Sequence, residues 1–410
     1  MTSEPEPDRT HVGAAPQQVE LSGLAIGGDA VGRLADGRAV FVAGGLPGEL
    51  VSVRVRRDHR RYAHAELDAV LRASPERVTP PCPWLAAGCG GCDLMHLHPA
   101  AQRQARRRLA EDALRRLGRL DDPEVVVAEP LLDHGYRTTI RVGVQQGRAA
   151  FRRRSSHDLI SVDGCLVAHP ALAELLAQGR FGQAREVTLR MGAATGERLA
   201  LVDPDARGVE LPSDVVIVEQ RPNRQRTPAA GHYHEVVAGR RWRISAHSFF
   251  QTSAVGAEAL VATVREALGE GGRGGRVLDA YCGVGLLSAA VPDAAMVVGV
   301  ESSPSSVADA RHNLADRDVD VIEGRVERWR PRPFDAVIAD PARAGLGRVG
   351  SEVLSATGAS ALVLVSCDLA SLGRDCADLV TLGFRHRRSV LVDLFPHSSH
   401  AEVVTTFDRS

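Results

Sequence analysis

The sequence contains no lysine, so all 50 of its cationic residues are arginine. The planar guanidinium suits paired contacts to phosphate, although a lysine-free composition can equally reflect the base composition of a genome. An excess of charge of either sign is also lacking: the formal net charge is -1 and the pI is about 7.0. This balance excludes a uniformly basic nucleic-acid-binding surface, so any basic face must be local.

Long apolar runs are absent as well. No stretch approaches the roughly 18 uninterrupted apolar residues that a membrane span needs. The acidic, proline-containing start MTSEPEPDRT lacks the features of a signal peptide. We therefore expect no membrane association and a cytoplasmic location, in which thiols stay reduced. The seven cysteines then need an explanation other than disulfide bonds.

The length of 410 residues and an apolar content of 44% predict a folded protein of about two to four domains. Residues 1–16 show no periodicity and are predicted to be a flexible tail. Short apolar alternations separated by glycine pairs over residues 17–75 predict a small antiparallel β-barrel. Residues 76–235 have mixed α+β character, and residues 236–410 form a third segment.

Arginines recur in four clusters before residue 160. The first lies on a predicted barrel strand, and the second lies on a helix predicted at 99–119, whose apolar residues repeat every three to four positions. We expect these local basic surfaces to contact an RNA backbone, and for the first cluster the alternative is a solvated edge strand. The clusters contain Arg54, Arg56, Arg57, Arg60 and Arg61, then Arg103, Arg106, Arg107 and Arg115, then Arg137 and Arg141, and finally Arg152, Arg153 and Arg154.

After about residue 240, strand-like runs alternate with helix-like ones, which predicts a parallel sheet covered by helices on both faces. In such a sheet, ligands bind beyond the carboxyl ends of the strands. Four chemically active side chains fall at the ends of predicted strands, so we expect them along one edge. They are Asp279, Glu301, Asp340 and Cys367.

The first of these strands is followed by the segment CGVG, residues 282–285. Gly283 and Gly285 allow a tight turn that brings backbone N–H groups close to a ligand. Glu301, about twenty residues further on, can accept the hydrogen bonds of a ribose diol. The spacing fits S-adenosylmethionine or a dinucleotide, so a nicotinamide enzyme is an alternative, although the pattern has no third glycine.

Cys367 lies at a predicted strand end just before a helix, where the helix dipole is expected to lower the thiol pKa. Asp340 belongs to the adjacent strand end. The segment DLFPHSSHAE adds His397, His400 and Glu402. A nucleophile with nearby carboxylates predicts covalent catalysis with general acid–base assistance.

Four cysteines in the first half of the chain have metal-ligand spacing: Cys82, Cys89, Cys92 and Cys165. A Cys-x-x-Cys pair with two further thiols in a reducing compartment predicts a soft-metal site, either zinc or an iron–sulfur cluster. The spacing does not distinguish the two. Cys282 and Cys376 are expected to pack in apolar surroundings.

Taken together, these segments resemble the RNA uracil-5-methyltransferase family, in particular its 23S ribosomal RNA branch with a TRAM barrel and a 4Fe–4S cluster. The resemblance covers most of the chain. It rests on CGGC with the distant Cys165 and, in the family's order, on GYRTTIRV, SFFQTS, LDAYCGVG, DPARAGL, SCDLASLGRD and DLFPHSSHAE. It implies a multidomain α/β protein with an N-terminal TRAM, OB-like β-barrel, a mixed α+β central domain and a C-terminal class I, Rossmann-like methyltransferase domain.

The resemblance also implies roles for single residues. Cys367 would be the nucleophile and Glu402 the base, with S-adenosylmethionine and a 4Fe–4S cluster as cofactors. The residues expected around S-adenosylmethionine and uracil are Gln251, Tyr281, Gly283, Gly285, Glu301 and Asp340. The residues implied to hold the cluster are Cys82, Cys89, Cys92 and Cys165.

Three functions stay open from the sequence. The first is methylation of carbon 5 of a uridine in 23S rRNA through a covalent cysteine–uracil adduct, with transfer RNA as the alternative substrate. The second is a binding-only RNA protein, because Ser253 and Leu286 stand where the family pattern has other residues. The third is a nicotinamide enzyme with a zinc site. For the methyltransferase we expect a monomer.

Overall fold

The computed structural model describes residues 9–10, 15–220, 231–291 and 294–409. The described residues divide into two units. The barrel unit contains those of Met1–Pro81, Cys92–Leu109 and His397–His400, and the sheet unit contains those of Cys82–Gly91, Ala110–Pro396 and Ala401–Ser410. Among the described residues, no helix combines the length and the apolar character needed to cross a bilayer.

The strands of the barrel unit are β1 Arg9–Thr10, β2 Gln17–Leu24, β3 Ala30–Arg33, β4 Ala39–Ala43, β5 Leu50–Asp58 and β6 Tyr62–Arg72. Five of them pair in the order β5-β2-β3-β4-β6, and β6 pairs back with β5, which closes the barrel. This confirms the predicted barrel. Two details differ from the prediction: β4 and β6 are parallel, and β1, within the predicted tail, pairs with β5.

The helices are α1 Pro83–Ala86, α2 Pro99–Arg116, α3 Pro170–Gln178, α4 Ala254–Leu268, α5 Pro304–Asn313, α6 Gly347–Ser355 and α7 Leu369–Thr381. The strands that follow the barrel are β7 Val125–Val127, β8 Thr139–Gln145, β9 Arg148–Arg152, β10 Leu159–Ser161, β11 Arg180–Phe181, β12 Glu186–Met191, β13 Arg198–Asp203, β14 Val209–Glu210, β15 Val215–Glu219, β16 His232–Val237, β17 Arg240–Ser245, β18 Arg276–Ala280, β19 Met296–Glu301, β20 Val319–Glu323, β21 Ala336–Ala339, β22 Ala361–Ser366, β23 Arg385–Val392 and β24 Glu402–Asp408. Short 3₁₀ turns occur at Gly269–Gly272, Ser288–Ala290 and Val326–Arg328.

The first large sheet of the sheet unit has the strand order β10-β9-β8-β12-β13-β15. It is antiparallel except for the pairing of β13 with β15. Helix α3 buries Leu172, Leu175 and Leu176 in a core shared with these strands. This is the mixed α+β segment that the sequence predicts.

The second large sheet has the strand order β20-β19-β18-β21-β22-β24-β23-β7. Strands β18 to β22 are parallel to one another, and β24 runs antiparallel to β22 and β23. All four residues of β21 are buried, as expected where helices cover both faces of a sheet. The strand order reverses between β18 and β21, which is where open α/β sheets bind ligands. The predicted Rossmann-like fold is therefore confirmed.

Helix α2 continues into the sheet unit, where its last turns lie against α7. A Cβ atom on Gly373 would lie 2.6 Å from Leu117 Cβ and 2.8 Å from the Ala113 carbonyl oxygen. Only a glycine allows the two backbones to approach this closely. The helix that follows Cys367 is thus supported by residues from much earlier in the chain.

A buried carboxylate joins the hairpin of β16 and β17 to α5. Asp309 accepts hydrogen bonds from Ser245 N–H at 2.8 Å and from the Ser245 and Ser248 hydroxyls at 2.9 and 2.6 Å. The Nε of Arg243 donates to the same carboxylate at 2.8 Å. These bonds fix the chain that leads from β17 towards Gln251 and α4.

Candidate active site

The second sheet places the predicted reactive side chains along one edge. The parallel strands β18, β19, β21 and β22 end at Ala280, Glu301, Ala339 and Ser366. Asp340 and Cys367 are the next residues after β21 and β22. Glu402 begins the antiparallel strand β24, in which Val403 pairs with Ser366. Cys367 and Glu402 occupy the next pair of positions along these two strands.

The turn after β18 uses its two glycines differently. The φ angle is +65° at Tyr281, +55° at Gly283 and +93° at Gly285. Gly285 N–H donates to the Cys282 carbonyl at 2.8 Å, and a Cβ on Gly285 would lie 2.5 Å from Leu314 Cδ1. Gly285 therefore serves the turn and its packing. At Gly283 a Cβ would meet nothing within 4 Å, so the turn is open to a ligand there.

Glu301 is half-buried, and its carboxylate joins two loops at the sheet edge. Its Oε2 accepts from Gly283 N–H at 3.1 Å, and its Oε1 accepts from Ser303 N–H at 2.6 Å. The Gly283 N–H that the sequence assigns to a ligand thus already has a partner. Because each carboxylate oxygen has a second lone pair, Glu301 can still accept the hydroxyls of a ribose.

Asp279, one residue before the end of β18, is completely buried. The Ser288 hydroxyl donates to its Oδ2 at 2.6 Å, whereas its Oδ1 has no hydrogen-bond partner among the described residues. Burial raises the pKa of Asp279 to about 7 despite the Ser288 hydrogen bond. Sequence reasoning placed Asp279 at the edge but gave it no role. The available signal was a carboxylate inside an apolar strand.

Two predicted pocket residues have contacts of a different kind. The Tyr281 hydroxyl donates to Glu327 Oε1 at 3.1 Å, and burial, followed by the Glu327 charge, raises the pKa of Tyr281. A bulky residue with positive φ is uncommon, so Tyr281 is held by its surroundings. Gln251 is buried in the segment between β17 and α4.

Cys367 is half-buried between β22 and α7. Burial, together with the nearby carboxylates of Glu402 and Asp340, raises the pKa of its thiol to about 11. The expectation that the helix dipole lowers this pKa is therefore wrong. Asp368 is the N-cap of α7, and its carboxylate accepts from Ser371 N–H at 2.8 Å. A carboxylate, rather than the thiol, thus interacts with the first turn of the helix.

Asp340 and Glu402 form an electrostatically coupled pair beside this thiol. Loss of solvation raises the pKa of both carboxyl groups, and the Asp279 charge adds to the effect at Asp340. Asp340 in turn raises the pKa of Glu402, which is only 2% exposed. We call Cys367, Asp340 and Glu402 the acid cluster. Its three groups cannot all be ionised at neutral pH, so the cluster can take up and release protons.

The segment that contains His397 belongs to the barrel unit and has structural contacts there. Gln102 in α2 accepts the His397 N–H at 2.8 Å, and the Gln102 amide nitrogen lies 3.2 Å from the His397 Nδ1. Asp93 accepts from the N–H and the hydroxyl of Ser399 at 2.8 and 2.6 Å. Sequence reasoning missed Gln102 and Asp93, because these contacts join positions 295 and 306 residues apart.

Three of the predicted metal-binding cysteines, Cys82, Cys89 and Cys165, lie near enough to one another in the sheet unit for their thiols to interact electrostatically. Burial raises the pKa of Cys89 and Cys165, and the nearby thiols, including Cys82, raise both pKa values further. One backbone N–H donates to the sulfur of Cys89 and two donate to the sulfur of Cys165. Cys92 comes three residues after Cys89 in the sequence and belongs to the barrel unit.

The backbone around these thiols fits thiolate ligands. Hydrogen bonds from N–H groups favour the ionised form of sulfur, which is the form that binds metals. Gly90 N–H donates to the Arg152 carbonyl at 3.1 Å, and a Cβ on Gly90 would lie 2.8 Å from Arg154 Cα. The chain can therefore pass this close only at a glycine. A set of soft sulfur donors suits zinc and iron–sulfur clusters alike.

Known proteins match both the barrel and the whole chain. Residues 15–67 match the TRAM domain. An uncharacterised RNA methyltransferase of Streptomyces avermitilis is 34% identical, over 95% of this chain and 98% of that protein. The 23S rRNA (uracil(1939)-C(5))-methyltransferase of Chromohalobacter salexigens is 33% identical, over 95% of this chain and 89% of that protein. The chain belongs to the RNA uracil-5-methyltransferase family.

The fold agrees with this assignment. The crystal structure of the Pyrococcus abyssi tRNA (uracil-54, C5)-methyltransferase in complex with S-adenosyl-L-homocysteine superposes with a TM-score of 0.74. The match covers 95% of this chain and 99% of that chain at 24% identity. The present RNA uracil-5-methyltransferase is thus an S-adenosylmethionine-dependent enzyme, which rules out the nicotinamide alternative.

Two positions at which this RNA uracil-5-methyltransferase departs from the family pattern have structural roles. The Ser253 hydroxyl caps α4 by accepting from Gly256 N–H at 3.1 Å. Leu286 is 7% exposed and packs in the large core of the sheet unit. Both residues therefore support the fold around the turn and α4.

Proposed function

We propose that this enzyme methylates carbon 5 of a uridine in 23S rRNA through a covalent adduct between Cys367 and the uracil. The acid cluster carries this proposal, because it combines a thiol with two carboxyl groups at the ligand-binding edge of the sheet. The Chromohalobacter salexigens relative, named as a 23S rRNA enzyme, supports the choice of substrate. In this scheme residues 17–75 bind RNA, residues 76–235 carry a metal cluster and residues 236–410 perform the chemistry.

Cys367 provides the nucleophile that uracil chemistry needs. Carbon 5 of uracil is a weak nucleophile, so the Cys367 thiolate adds to carbon 6 and shifts an electron pair towards carbon 5. S-adenosylmethionine would supply an electrophilic methyl group to carbon 5, and the electron pair of the broken methyl–sulfur bond would stay on the sulfur of the departing S-adenosylhomocysteine. Because the thiol has a pKa of about 11, it must give up its proton when the substrate binds. In this scheme the Asp340 carboxylate accepts the thiol proton, which leaves Glu402 ionised for the later step.

Glu402 completes the reaction. Its carboxylate removes the proton from carbon 5, the electron pair of that C–H bond re-forms the ring double bond, and the C–S bond breaks with its electrons returning to Cys367. Burial raises the pKa of Glu402, which makes the ionised group a stronger base. Asp340 is available to hydrogen-bond the uracil edge. The uridine must leave its base stack to reach this edge of the sheet.

The residues suited to S-adenosylmethionine surround the turn after β18. Glu301 would accept hydrogen bonds from the ribose hydroxyls, and the open position at Gly283 would let the ligand approach the backbone. Gly285 shapes the turn, and Tyr281 and Gln251 complete the surroundings of the pocket. In the same region, Asp279 Oδ1 has no hydrogen-bond partner among the described residues, so it can accept a hydrogen bond from a ligand.

A methylation assay tests this function. Protein is incubated with methyl-labelled S-adenosylmethionine and either unmodified 23S rRNA or unmodified transfer RNA, and the digested nucleosides are analysed for 5-methyluridine. We expect label in 5-methyluridine from 23S rRNA. Cys367→Ala should reduce the rate by more than about 10³-fold, because it removes the nucleophile. Cys376→Ala, which alters a buried cysteine of the helix that follows Cys367, should keep the activity.

Trapping experiments test the adduct separately from turnover. RNA that contains 5-fluorouridine has no removable proton at carbon 5, so the protein should stay attached to it through Cys367 under denaturing conditions. Label found only in transfer RNA would show that the substrate is transfer RNA and not 23S rRNA. RNA binding without any methyl transfer would contradict the proposed reaction. Full activity of Cys367→Ala would contradict the mechanism.

We also infer a 4Fe–4S cluster held by Cys82, Cys89, Cys92 and Cys165. The mutual proximity of three of these thiols and the N–H groups that donate to two of the sulfurs support it. Such a cluster would act structurally, by linking the short Cys89 segment to Cys165 through metal–sulfur bonds. Thiolate ligands require a reducing compartment, which supports a cytoplasmic location.

A further inference from the structure

The outer face of the barrel carries four rings in contact with one another. Phe41 lies on β4, His59 lies in the turn after β5, and Tyr62 and His64 lie on β6. The His59 and Tyr62 rings are stacked with centroids 4.5 Å apart, and the Phe41 and His64 rings are stacked at 5.3 Å. Tyr62 meets Phe41 and His64 edge to face, at 5.8 and 5.6 Å. We call these four residues the ring cluster.

Strand pairing explains the position of the ring cluster. Ala63 and Ala65 point into the barrel core, so Tyr62 and His64, which alternate with them, point outwards. The parallel pairing of β4 with β6 sets Phe41 opposite His64. The turn is closed by a hydrogen bond from His59 N–H to the Tyr62 carbonyl at 2.9 Å, which brings these two rings together.

The ring cluster is partly open to solvent, with Tyr62 exposed and the other three residues half-buried. Tyr62 is 38% exposed, and the His64 side chain is 42% exposed. Large aromatic rings contribute most to stability when they are buried. A group of rings left partly exposed therefore indicates a surface that binds a partner.

Positive charge accompanies the rings at the same turn. Arg57, Arg60 and Arg61 are exposed. The one acidic residue of this segment, Asp58, forms an ion pair with Arg38, whose guanidinium also donates to the His59 carbonyl at 2.8 Å. The turn therefore carries an excess of positive charge.

The other two arginines of the predicted RNA-contacting strand are engaged differently. Arg54 forms an ion pair with Asp68 at 2.8 Å, and Arg56 forms one with Glu66 at 2.6 Å. Both acids lie on the neighbouring strand β6. These pairs make that part of the strand a surface of mixed charge, so the positive charge that is suited to phosphate is concentrated at the turn.

We propose that the ring cluster binds an unpaired base of single-stranded RNA, stacked on Tyr62, with the flanking phosphates beside Arg60 and Arg61. This inference rests on the proposed function, in which RNA is the substrate. Exposed aromatic rings next to arginines match the chemistry of single-stranded RNA, because every base offers a flat face for stacking. In a duplex the base faces are covered by neighbouring pairs, so the surface should discriminate against double-stranded RNA.

Binding of the full-length protein to a short single-stranded RNA that contains 2-aminopurine tests this surface. We expect quenching of the 2-aminopurine fluorescence on binding, and weaker binding of a duplex of the same sequence. Tyr62→Ala should weaken single-strand binding about tenfold and reduce the quenching, whereas Tyr62→Phe, which keeps the ring, should retain both. Leu71→Ala is the matched control, because Leu71 is 48% exposed on the same strand but is not an aromatic residue.

Salt dependence separates stacking from charge. Tyr62→Ala should lower affinity without changing the slope of log affinity against log salt. The double variant Arg60→Gln, Arg61→Gln should lower that slope by about 1.4, because each phosphate of a single strand that an arginine neutralises contributes about 0.7. Thermal unfolding of each variant confirms that the barrel is folded.

The outcomes keep this proposal distinct from the proposed function. Wild-type affinity and quenching in Tyr62→Ala would overturn the ring cluster as a base-binding surface, even if 23S rRNA is methylated. A protein that shows Tyr62-dependent RNA binding but produces no 5-methyluridine would retain this surface and lose the proposed function. Equal affinity for single strand and duplex would also overturn it, since it would indicate backbone binding alone.

Discussion

The thiol of Cys367 is surrounded by groups that keep it protonated in the free enzyme. With a pKa of about 11, roughly one thiol in 10⁴ is ionised at neutral pH. A protonated thiol is also protected from oxidation, because the thiolate is the reactive species. The nucleophile is therefore expected to become reactive only when uracil occupies the site and the acid cluster redistributes its protons.

Removing one charge of the acid cluster should make Cys367 more reactive. Glu402→Gln takes away the charge that, after burial, contributes most to the raised pKa of Cys367, so this pKa should fall. We expect alkylation of Cys367 by iodoacetamide at about pH 8 to accelerate by about tenfold for each unit by which the pKa falls. The rate is measured by mass spectrometry of the peptide that contains Cys367.

The pH profile gives the sign of this effect. In the wild type, a pKa raised to about 11 means that alkylation should continue to accelerate as the pH rises towards that value. Arg343→Gln is a control of opposite sign, because Arg343 favours the thiolate and its removal should slow alkylation. Identical pH profiles for wild type and Glu402→Gln would contradict the electrostatic coupling.

The positions of the active groups could be predicted from the sequence better than their ionisation. Asp340 and Cys367 could be placed together because the ends of parallel strands share one edge. The sequence offered Glu402 as a group near the nucleophile, but its role as the base came only from the family resemblance. The pairing of Ser366 with Val403 supplies the physical reason for its position. The direction of the Cys367 pKa could not be predicted, since it depends on desolvation and on Asp368 as the residue that caps α7.

At the scale of elements, the contact between the β16–β17 hairpin and α5 depends on one carboxylate. Asp309→Ala should lower the free energy of unfolding of the sheet unit by about 3 kcal/mol, because it leaves the Ser245 N–H and the Arg243 guanidinium without their buried acceptor. Urea unfolding monitored by tryptophan fluorescence measures the shift, since Trp242 is buried in β17.

An exposed ion pair between the same two regions provides the comparison. Asp316 is paired with Arg240 at 2.7 Å, and its side chain is 65% exposed. Asp316→Ala should therefore cost less than about 1 kcal/mol. If Asp309→Ala and Asp316→Ala cost equally little, Asp309 does not hold the hairpin to α5.

Elements whose side chains alternate regularly were the easiest to predict. The barrel strands follow from alternating valines, and the parallel sheet follows from continuous apolar runs. The charge of a strand was harder to interpret. Five arginines in β5 and its turn looked equivalent in the sequence, but the register between β5 and β6 pairs Arg54 and Arg56 with acids and leaves the excess of positive charge at the turn. Register depends on closure of the barrel, which no local pattern reveals.

At the scale of the whole molecule, sequence order and spatial grouping differ. Short segments far along the chain, such as His397–His400, belong to the same unit as the barrel. The predicted boundaries after residues 75 and 235 divide the chain into consecutive segments. They cannot describe a unit built from segments that lie far apart in the sequence, because sequence patterns are assigned only to contiguous stretches. Segments that join distant parts of the sequence are held either by hydrogen bonds, as Gln102 holds His397, or by shared ligands, as we infer for the cysteines.

Loss of the inferred cluster should therefore weaken the fold as well as remove iron. Protein purified without oxygen should contain about four iron and four sulfide ions per chain. Cys165→Ser should lose iron and lower the melting temperature by roughly 5 °C or more, because metal–sulfur bonds no longer restrict the long loop between Cys89 and Cys165. Cys376→Ala, which changes a buried cysteine with no proposed metal ligand role, should keep the full iron content. Zinc without sulfide in the wild type, or an unchanged iron content in Cys165→Ser, would contradict the cluster, since either result means that these thiols do not hold iron and sulfide together.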